Sequence, residues 1–215
     1  MKKLISLIKT EGLLPSFFIV TNKLCVKVRS LIYSLVYGAP GMSVSGRLKV
    51  RGVKRIDFGK GLFVNGDVWL EAVVSYAGKD YDPLLKIGDG VSMSSGVHLS
   101  AINSITVGDG CLFGSNIYIG DHNHGFYGGG EGSAPSVPPA QRELSSSGSI
   151  TLGENCWLGD NVVVCGGVRI GDGVIIGANS VVTSGIPDFS IACGSPARVI
   201  KKFNFDSKRW ESCES

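Results

Sequence analysis

Aliphatic residues recur at every sixth position through most of this chain. The first run is Val44, Val50, Ile56, Leu62, Val68 and Val74; after a slip of one residue come Ile87, Met93 and Leu99. After a slip of two come Val107, Phe113 and Ile119, and the last run is Leu152, Leu158, Val164, Ile170, Ile176 and Val182. Six residues are too few for a helical hairpin or a pair of strands. They suit one short extended segment and one corner, and a hexapeptide period is the signature of a parallel β-helix. Each aliphatic residue then points inward, and stacked coils align these positions into columns. Three hexads make a triangular coil of about eighteen residues. At ~4.8 Å between strands, six or more coils give a prism roughly 30–45 Å long.

The corners account for the composition. There are 31 glycines among 215 residues, about twice the usual ~7%, without the every-third-residue period of collagen. Glycine follows the aliphatic residue at Gly88, Gly108, Gly114, Gly120, Gly153, Gly159, Gly171 and Gly177. A branched residue recurs four positions after it, at Val91, Ile117, Val162, Val168 and Val174, so the unit reads I-G-x-x-V-x. With 43% apolar and 18% charged residues, the chain has the opposite balance to a disordered one. None of the six cysteines (Cys25, Cys111, Cys156, Cys165, Cys193, Cys213) forms a C-x-x-C pair, which argues against a zinc ribbon or a thioredoxin-like site. No uninterrupted apolar run approaches the ~18 residues of a membrane span. The apolar stretch after Lys2 and Lys3 is broken by Lys9, Glu11 and Gly12. No cleavable leader is therefore expected, and the expected location is the cytoplasm, with reduced thiols.

The segment I-G-D-G-V-I-I-G-A-N-S-V-V-T at 170–183, followed by P-D-F-S-I-A-C-G-S-P-A-R-V-I at 187–200, resembles the hexapeptide-repeat acyltransferases. The likeness is strongest to the sugar O-acetyltransferases of bacterial surface-polysaccharide and O-antigen synthesis, relatives of the maltose and galactoside acetyltransferases. It covers about residues 44–202. The resemblance implies an all-β fold, the left-handed parallel β-helix, an exception to the right-handed crossover rule. Handedness comes from the resemblance and not from the period. It also implies acetyl-CoA as co-substrate, no metal, and a homotrimer, since this family binds its donor in the groove between two prisms.

The repeat stops at Ile119 and resumes at Leu152, and the long loop between them opens with D-H-N-H at 121–124. Long loops inside compact domains are commonly functional. The chain has only three histidines, His98, His122 and His124. A sugar hydroxyl has a high pKa, so acetyl transfer from a thioester needs a neutral imidazole to take its proton. The thioester oxygen needs a fixed donor as it becomes an oxyanion, and alignment of the two substrates contributes much of the rest. The resemblance puts the catalytic histidine seven residues after the aliphatic residue of a coil, and that count from Ile117 reaches His124. His122 is the alternative, because a loop can shift the count by two. Asp121 is the candidate for fixing the imidazole tautomer. Asn103 and Asn116 are candidates for binding sugar hydroxyls, and Arg142 for a phosphate of a lipid-linked or nucleotide-linked saccharide. Carried over by resemblance, the pantetheine arm meets Trp157, Gly159, Gly177, Ala178, Thr183 and Ser184, and the nucleotide phosphates meet Arg198 and Lys201. Ser184 departs from the lysine that the family often has there.

The net charge of +3 hides an asymmetry: residues 1–60 hold twelve Lys or Arg against Glu11 and Asp57. A basic end suits a phosphate-bearing partner or an anionic membrane. Segments 2–9 and 22–37 are expected helices, with Pro15 between them. Residues 1–40 thus form a helical segment, read as the cap of the first coil and also as a basic amphipathic element for the inner-membrane surface. Residues 41–186 form the β-helix with its loop at 121–149, and 187–215 a tail contributing to coenzyme A binding. No nucleic-acid partner is expected. Two other readings share the fold: a non-catalytic scaffold, and acetylation of a different small acceptor such as an antibiotic. A γ-type carbonic anhydrase needs three distributed zinc-binding histidines, and His122 and His124 are too close together for that.

Overall fold

The computed structural model describes residues 2–213; Met1, Glu214 and Ser215, at the ends of the expected cap and tail, lie outside the described residues. Three parallel sheets form the faces of a coiled prism. The first face runs through strands Ser43–Val44, Phe63–Val64, Ser92–Met93, Leu112–Phe113, Trp157–Leu158 and Ile175–Ile176 to Ser190–Gly194. It ends in two antiparallel strands, Ala197–Asn204 and Arg209–Ser212. The second face holds Leu48–Arg51, Val68–Ala72, Val97–Ala101, Tyr118–Gly120, Val163–Val164 and Val181–Val182. The third holds Ile56–Phe58, Leu84–Ile87, Ser104–Val107, Ile150–Leu152 and Arg169–Ile170. The chain is thus mostly β, a β-helix with a helical N-terminal segment.

The hexad residues stack as inward columns. Leu62, Phe113, Ile119, Leu158, Val164, Ile170 and Val182 are fully buried. Two of the expected inward positions differ. Val50 is only partly buried, and Val74 is 45% exposed. Val74 leaves the coil because residues 75–80 form a hairpin, Ser75–Tyr76 against Lys79–Asp80. Its turn residues Ala77 and Gly78 both have positive φ, 48° and 80°, the conformation that closes tight hairpins. The coils are also longer than eighteen residues near the start. Ser43 pairs with Phe63 and Phe63 with Ser92, whereas Thr151 to Arg169, Trp157 to Ile175 and Val163 to Val181 each span eighteen. The extra residues sit at the corner between the second and third faces: the short turn Val53–Arg55, the hairpin, and the long loop.

The corner between the first and second faces takes left-handed backbone from the third coil onward. Gly96, Asn116, Asn161 and Asn179 occupy it with φ of 78°, 57°, 60° and 60°. Asparagine tolerates that region better than other residues with a Cβ. The side chains also form a ladder, Asn116 Nδ2 to Asn161 Oδ1 at 3.3 Å and Asn161 Nδ2 to Asn179 Oδ1 at 3.0 Å.

The N-terminal segment forms two helices, α1 (Lys2–Glu11) and α2 (Leu13–Tyr37). The expected start of the second helix at residue 22 falls short. Pro15 lies in its first turn, where the missing N–H has no helical acceptor to lose. Residues near the end of α2 close the first coil. Ser30 Oγ accepts from Val44 N at 2.9 Å, Arg29 Nε donates to Val44 O at 3.1 Å, and Tyr37 stacks on Phe58 at 5.5 Å. The other flank and the N-terminal half are bare, with Leu13, Leu14, Phe17 and Phe18 each at least 68% exposed. Among the described residues, no helix is long and apolar enough to cross a membrane.

Candidate active site

Parallel pairing puts residues from distant parts of the chain into rows on the second face. One outward row reads Lys49, Trp69, His98, Tyr118, Val163 and Val181. The row beside it starts Arg51, Glu71, Ser100 and Gly120, and continues through Cys165 to Thr183. The face therefore has two halves. The N-terminal coils carry aromatic and charged side chains, and the C-terminal coils small and apolar ones. The long loop leaves at the boundary between them, directly after Gly120.

The loop begins as a two-stranded ribbon, His122–His124 against Leu144–Ser146. The hairpin at 75–80, inserted at the same corner, braces it. Tyr76 Oη donates to Ala140 O at 3.0 Å, Tyr81 Oη lies 2.8 Å from Leu144 N and 3.1 Å from Leu144 O, and Lys79 pairs with Glu143 at 2.8 Å. This brace holds the histidines over a cavity of about 310 Å³. Arg51, Trp69, Glu71, His98, Tyr118, His122 and His124 all contribute to its lining.

Asp121 is completely buried under the ribbon. Its Oδ1 accepts from Ile102 N at 2.9 Å and its Oδ2 from Asn103 N at 2.8 Å. A buried carboxylate needs such partners. The imidazole it meets is that of His122, whose Nδ1 lies 3.1 Å from Oδ1. His122 is only 8% exposed in its side chain. His124 is exposed, with its ring edge-on to Tyr76 at 5.2 Å and its backbone carbonyl accepting from Tyr127 Oη. Asp121 thus braces His122, whereas the exposed ring of His124 lines the cavity.

The wall opposite was not anticipated from the sequence. Trp69 and His98 stack with centroids 4.1 Å apart and planes 6° from parallel, Lys49 Nζ sits 3.5 Å over the outer face of Trp69, and Tyr118 packs edge-on to His98. Burial holds the His98 pKa below its usual value, against the pull of Glu71. Burial pushes the Tyr118 hydroxyl up, with Asp121 adding to it. Tyr118 can lie there because Gly120 has no side chain: a Cβ at 120 would stand 2.3 Å from Tyr118 Oη.

Three of the residues expected to bind the acceptor lie away from this cavity. Arg142 uses its guanidinium inside the loop, with Nε to Val137 O at 2.8 Å and Nη1 to Tyr127 Oη at 2.5 Å. Asn116 belongs to the corner ladder. Asn103 reaches Ser149 Oγ at 3.3 Å.

The expected donor residues fall in three groups. Gly159, Gly177 and Ala178 sit at the corner between the first and second faces. A Cβ at Gly159 would stand 2.8 Å from Ala178 N, so the backbones there approach as closely as glycine allows. Thr183 and Ser184 end the small-residue half of the second face, both exposed. Trp157, half-exposed, and Arg198 and Lys201, on strand Ala197–Asn204, lie on the first face across that corner.

Comparison with known proteins agrees with this architecture. Residues 149–184 match the family described as bacterial transferase hexapeptide (six repeats), and 104–120 match the hexapeptide repeat of succinyl-transferase. An Escherichia coli K12 protein named "Putative lipopolysaccharide biosynthesis O-acetyl transferase WbbJ" is 44% identical over 124 residues, 57% of this chain and 63% of that protein. The galactoside O-acetyltransferase of the same strain is 30% identical over 152 residues, covering 68% and 66%. The chain thus spans just under two thirds of the length of both relatives. Among solved structures, AntD, an N-acyltransferase from Bacillus cereus in complex with dTDP and 3-hydroxybutyryl-CoA, matches with a TM-score of 0.61 at 20% identity, over 75% of this chain and 80% of that one. The hexapeptide-repeat acetyltransferase VCA0836 from Vibrio cholerae matches with a TM-score of 0.52 at 23% identity, over 69% and 74%. These two likenesses carry the fold. Residues 104–120 and 149–184 thus carry the hexapeptide repeat of the bacterial transferases, within a three-faced coil similar to theirs.

Proposed function

We propose that the protein is an acetyl-CoA-dependent O-acetyltransferase that acetylates a hydroxyl of a sugar in a surface-polysaccharide precursor such as O-antigen. The observation that carries this reading is the position of the histidine ribbon, at the boundary between the polar and the small-residue halves of the second face. In this reading the pantetheine arm approaches along the smooth half, past Thr183 and the Gly159–Ala178 corner, with Arg198 and Lys201 toward the nucleotide phosphates. The sugar takes the polar half.

His124 is the general base. A base must reach its proton, and the exposed ring of His124 meets that need better than the buried ring of His122. The imidazole takes the hydroxyl proton as the oxygen attacks the thioester carbonyl. The C–S bond then breaks, and the imidazolium returns the proton to the departing thiolate. Asp121 and His122 hold the ribbon at the correct height and act as positioning residues.

The same family likeness supports left-handed winding, a homotrimer and a cytoplasmic location. The exposed apolar side chains of α2, with Lys23 and Lys27 among them, support contact with the inner-membrane surface, Phe17 and Phe18 in the interface and the lysines toward anionic headgroups. Release of coenzyme A from acetyl-CoA, measured across a panel of nucleotide-linked and free sugars, tests the proposal. A sugar-dependent release that His124→Ala abolishes and His122→Gln only weakens supports it. Sugar-dependent release that survives His124→Ala refutes the assignment of the base.

A further inference from the structure

Among the described residues, Glu71 is the one carboxylate that lines the cavity beneath the histidines. Its side chain is only 13% exposed. Arg51 occupies Oε1 at 3.1 Å. Oε2 lies 3.8 Å from His98 Nε2, beyond hydrogen-bond reach. The imidazole is clamped between the Trp69 ring and Tyr118, and its Nε2 is buried with no partner. Oε2 therefore keeps its lone pairs for whatever enters the cavity. Ser100, next in the same row, lines the cavity beside it.

From this arrangement we infer that Glu71 anchors the acceptor through a second hydroxyl, so that the substrate is a pyranoside diol with one hydroxyl at His124 and another donating to Glu71. This inference rests on the acetyltransferase reading and sharpens it. An ionised carboxylate accepts hydrogen bonds and cannot donate them. The group it selects must carry a proton, which a hydroxyl does and an ether or ester does not. Charge-assisted bonds of this kind are about twice as strong as neutral ones, and a site built to bond a hydroxyl rejects the analogue lacking it. Trp69, His98 and Tyr118 form the rigid wall that holds the ring in place. The inference assigns Glu71 a positioning and specificity role, separate from the proton transfer.

Saturation-transfer NMR on the full chain tests it, with the methyl glycosides of glucose, galactose, mannose, N-acetylglucosamine and rhamnose as probes. At least one is expected to bind saturably. The Glu71→Gln variant should weaken that binding at least tenfold, and a deoxy analogue of the anchored hydroxyl should lose as much on the native protein. Arg51→Gln removes the ion pair but leaves Oε2, and should change binding by less than threefold. No saturable binding by any glycoside overturns the inference, as does equal loss in the Glu71 and Arg51 variants, which marks a structural effect. Coenzyme A titrated into the same samples reports on the donor reading separately, so its failure is distinguishable from failure of the sugar site.

Discussion

Replacing Asp121 with asparagine probes the support of the active-site ribbon. The carboxylate takes three partners in a fully buried position: Ile102 N, Asn103 N and His122 Nδ1. Asparagine keeps the shape but offers one acceptor oxygen, and turns its amide toward an N–H or a ring nitrogen. At least one charge-assisted bond is lost, each contributing about 1.5–3 kcal/mol, and a buried donor is left unpaired. The expected loss of stability is about 2–4 kcal/mol. For a chain of this length each kcal/mol moves Tm by about 2–4 °C, so a fall of roughly 5–15 °C is expected. Thermal unfolding by circular dichroism measures it, with His124→Ala as the comparison, since an exposed ring should leave Tm within about 2 °C. An unchanged Tm in Asp121→Asn would refute the claim that this carboxylate holds the ribbon.

Further expectations follow from single features of the fold. Gly120→Ala drives a Cβ to 2.3 Å from Tyr118 Oη, so Tyr118 must swing into the cavity; sugar-dependent turnover should fall at least tenfold while Tm stays nearly constant. Asn161→Ala loses the ladder bonds on both sides of a corner held at φ 60°, and urea unfolding should report about 1–3 kcal/mol of destabilisation. The depressed pKa of His98 has a definite sign. Below the ordinary value of ~6.5 the unfolded chain takes up a proton that the folded chain resists, so stability is lost as pH falls from about 6.5. The urea midpoint should drop between pH 7.5 and 5.5, and drop less in His98→Gln. Charge reversal at Lys23 and Lys27 should weaken co-sedimentation with anionic vesicles by at least tenfold, at about 1 kcal/mol per charge near the surface, and leave neutral vesicles unaffected.

The columns of the prism were legible because burial repeats them: inward residues such as Leu158, Val164 and Ile170 obey one period for physical reasons that do not vary from coil to coil. Val74 escaped that pattern because a hairpin turn of two residues looks, at the level of spacing, like a slip of one. The head of the loop was also legible, as D-H-N-H marks where the hexads stop. What the spacing did not reveal was which histidine the carboxylate would meet, since that depends on the ribbon's pairing with Leu144–Ser146. The polar wall was the least visible part. Lys49, Trp69, His98 and Tyr118 are separated by twenty residues or more in the chain, and only parallel register brings them side by side. A usable signal existed: His98 and Tyr118 each directly precede an inward aliphatic residue, Leu99 and Ile119, and so face outward on one side of the prism. Asn116 and Arg142 show the converse, polar residues near the histidines whose partners are the corner ladder and the loop itself.

The central claim is that the smooth half of the second face and its corner receive an acetyl thioester. Calorimetric titration of the purified chain with coenzyme A and acetyl-CoA tests this most directly. Micromolar binding near one site per chain is expected. Absence of heat at millimolar ligand would contradict the donor site and the acetyltransferase reading with it.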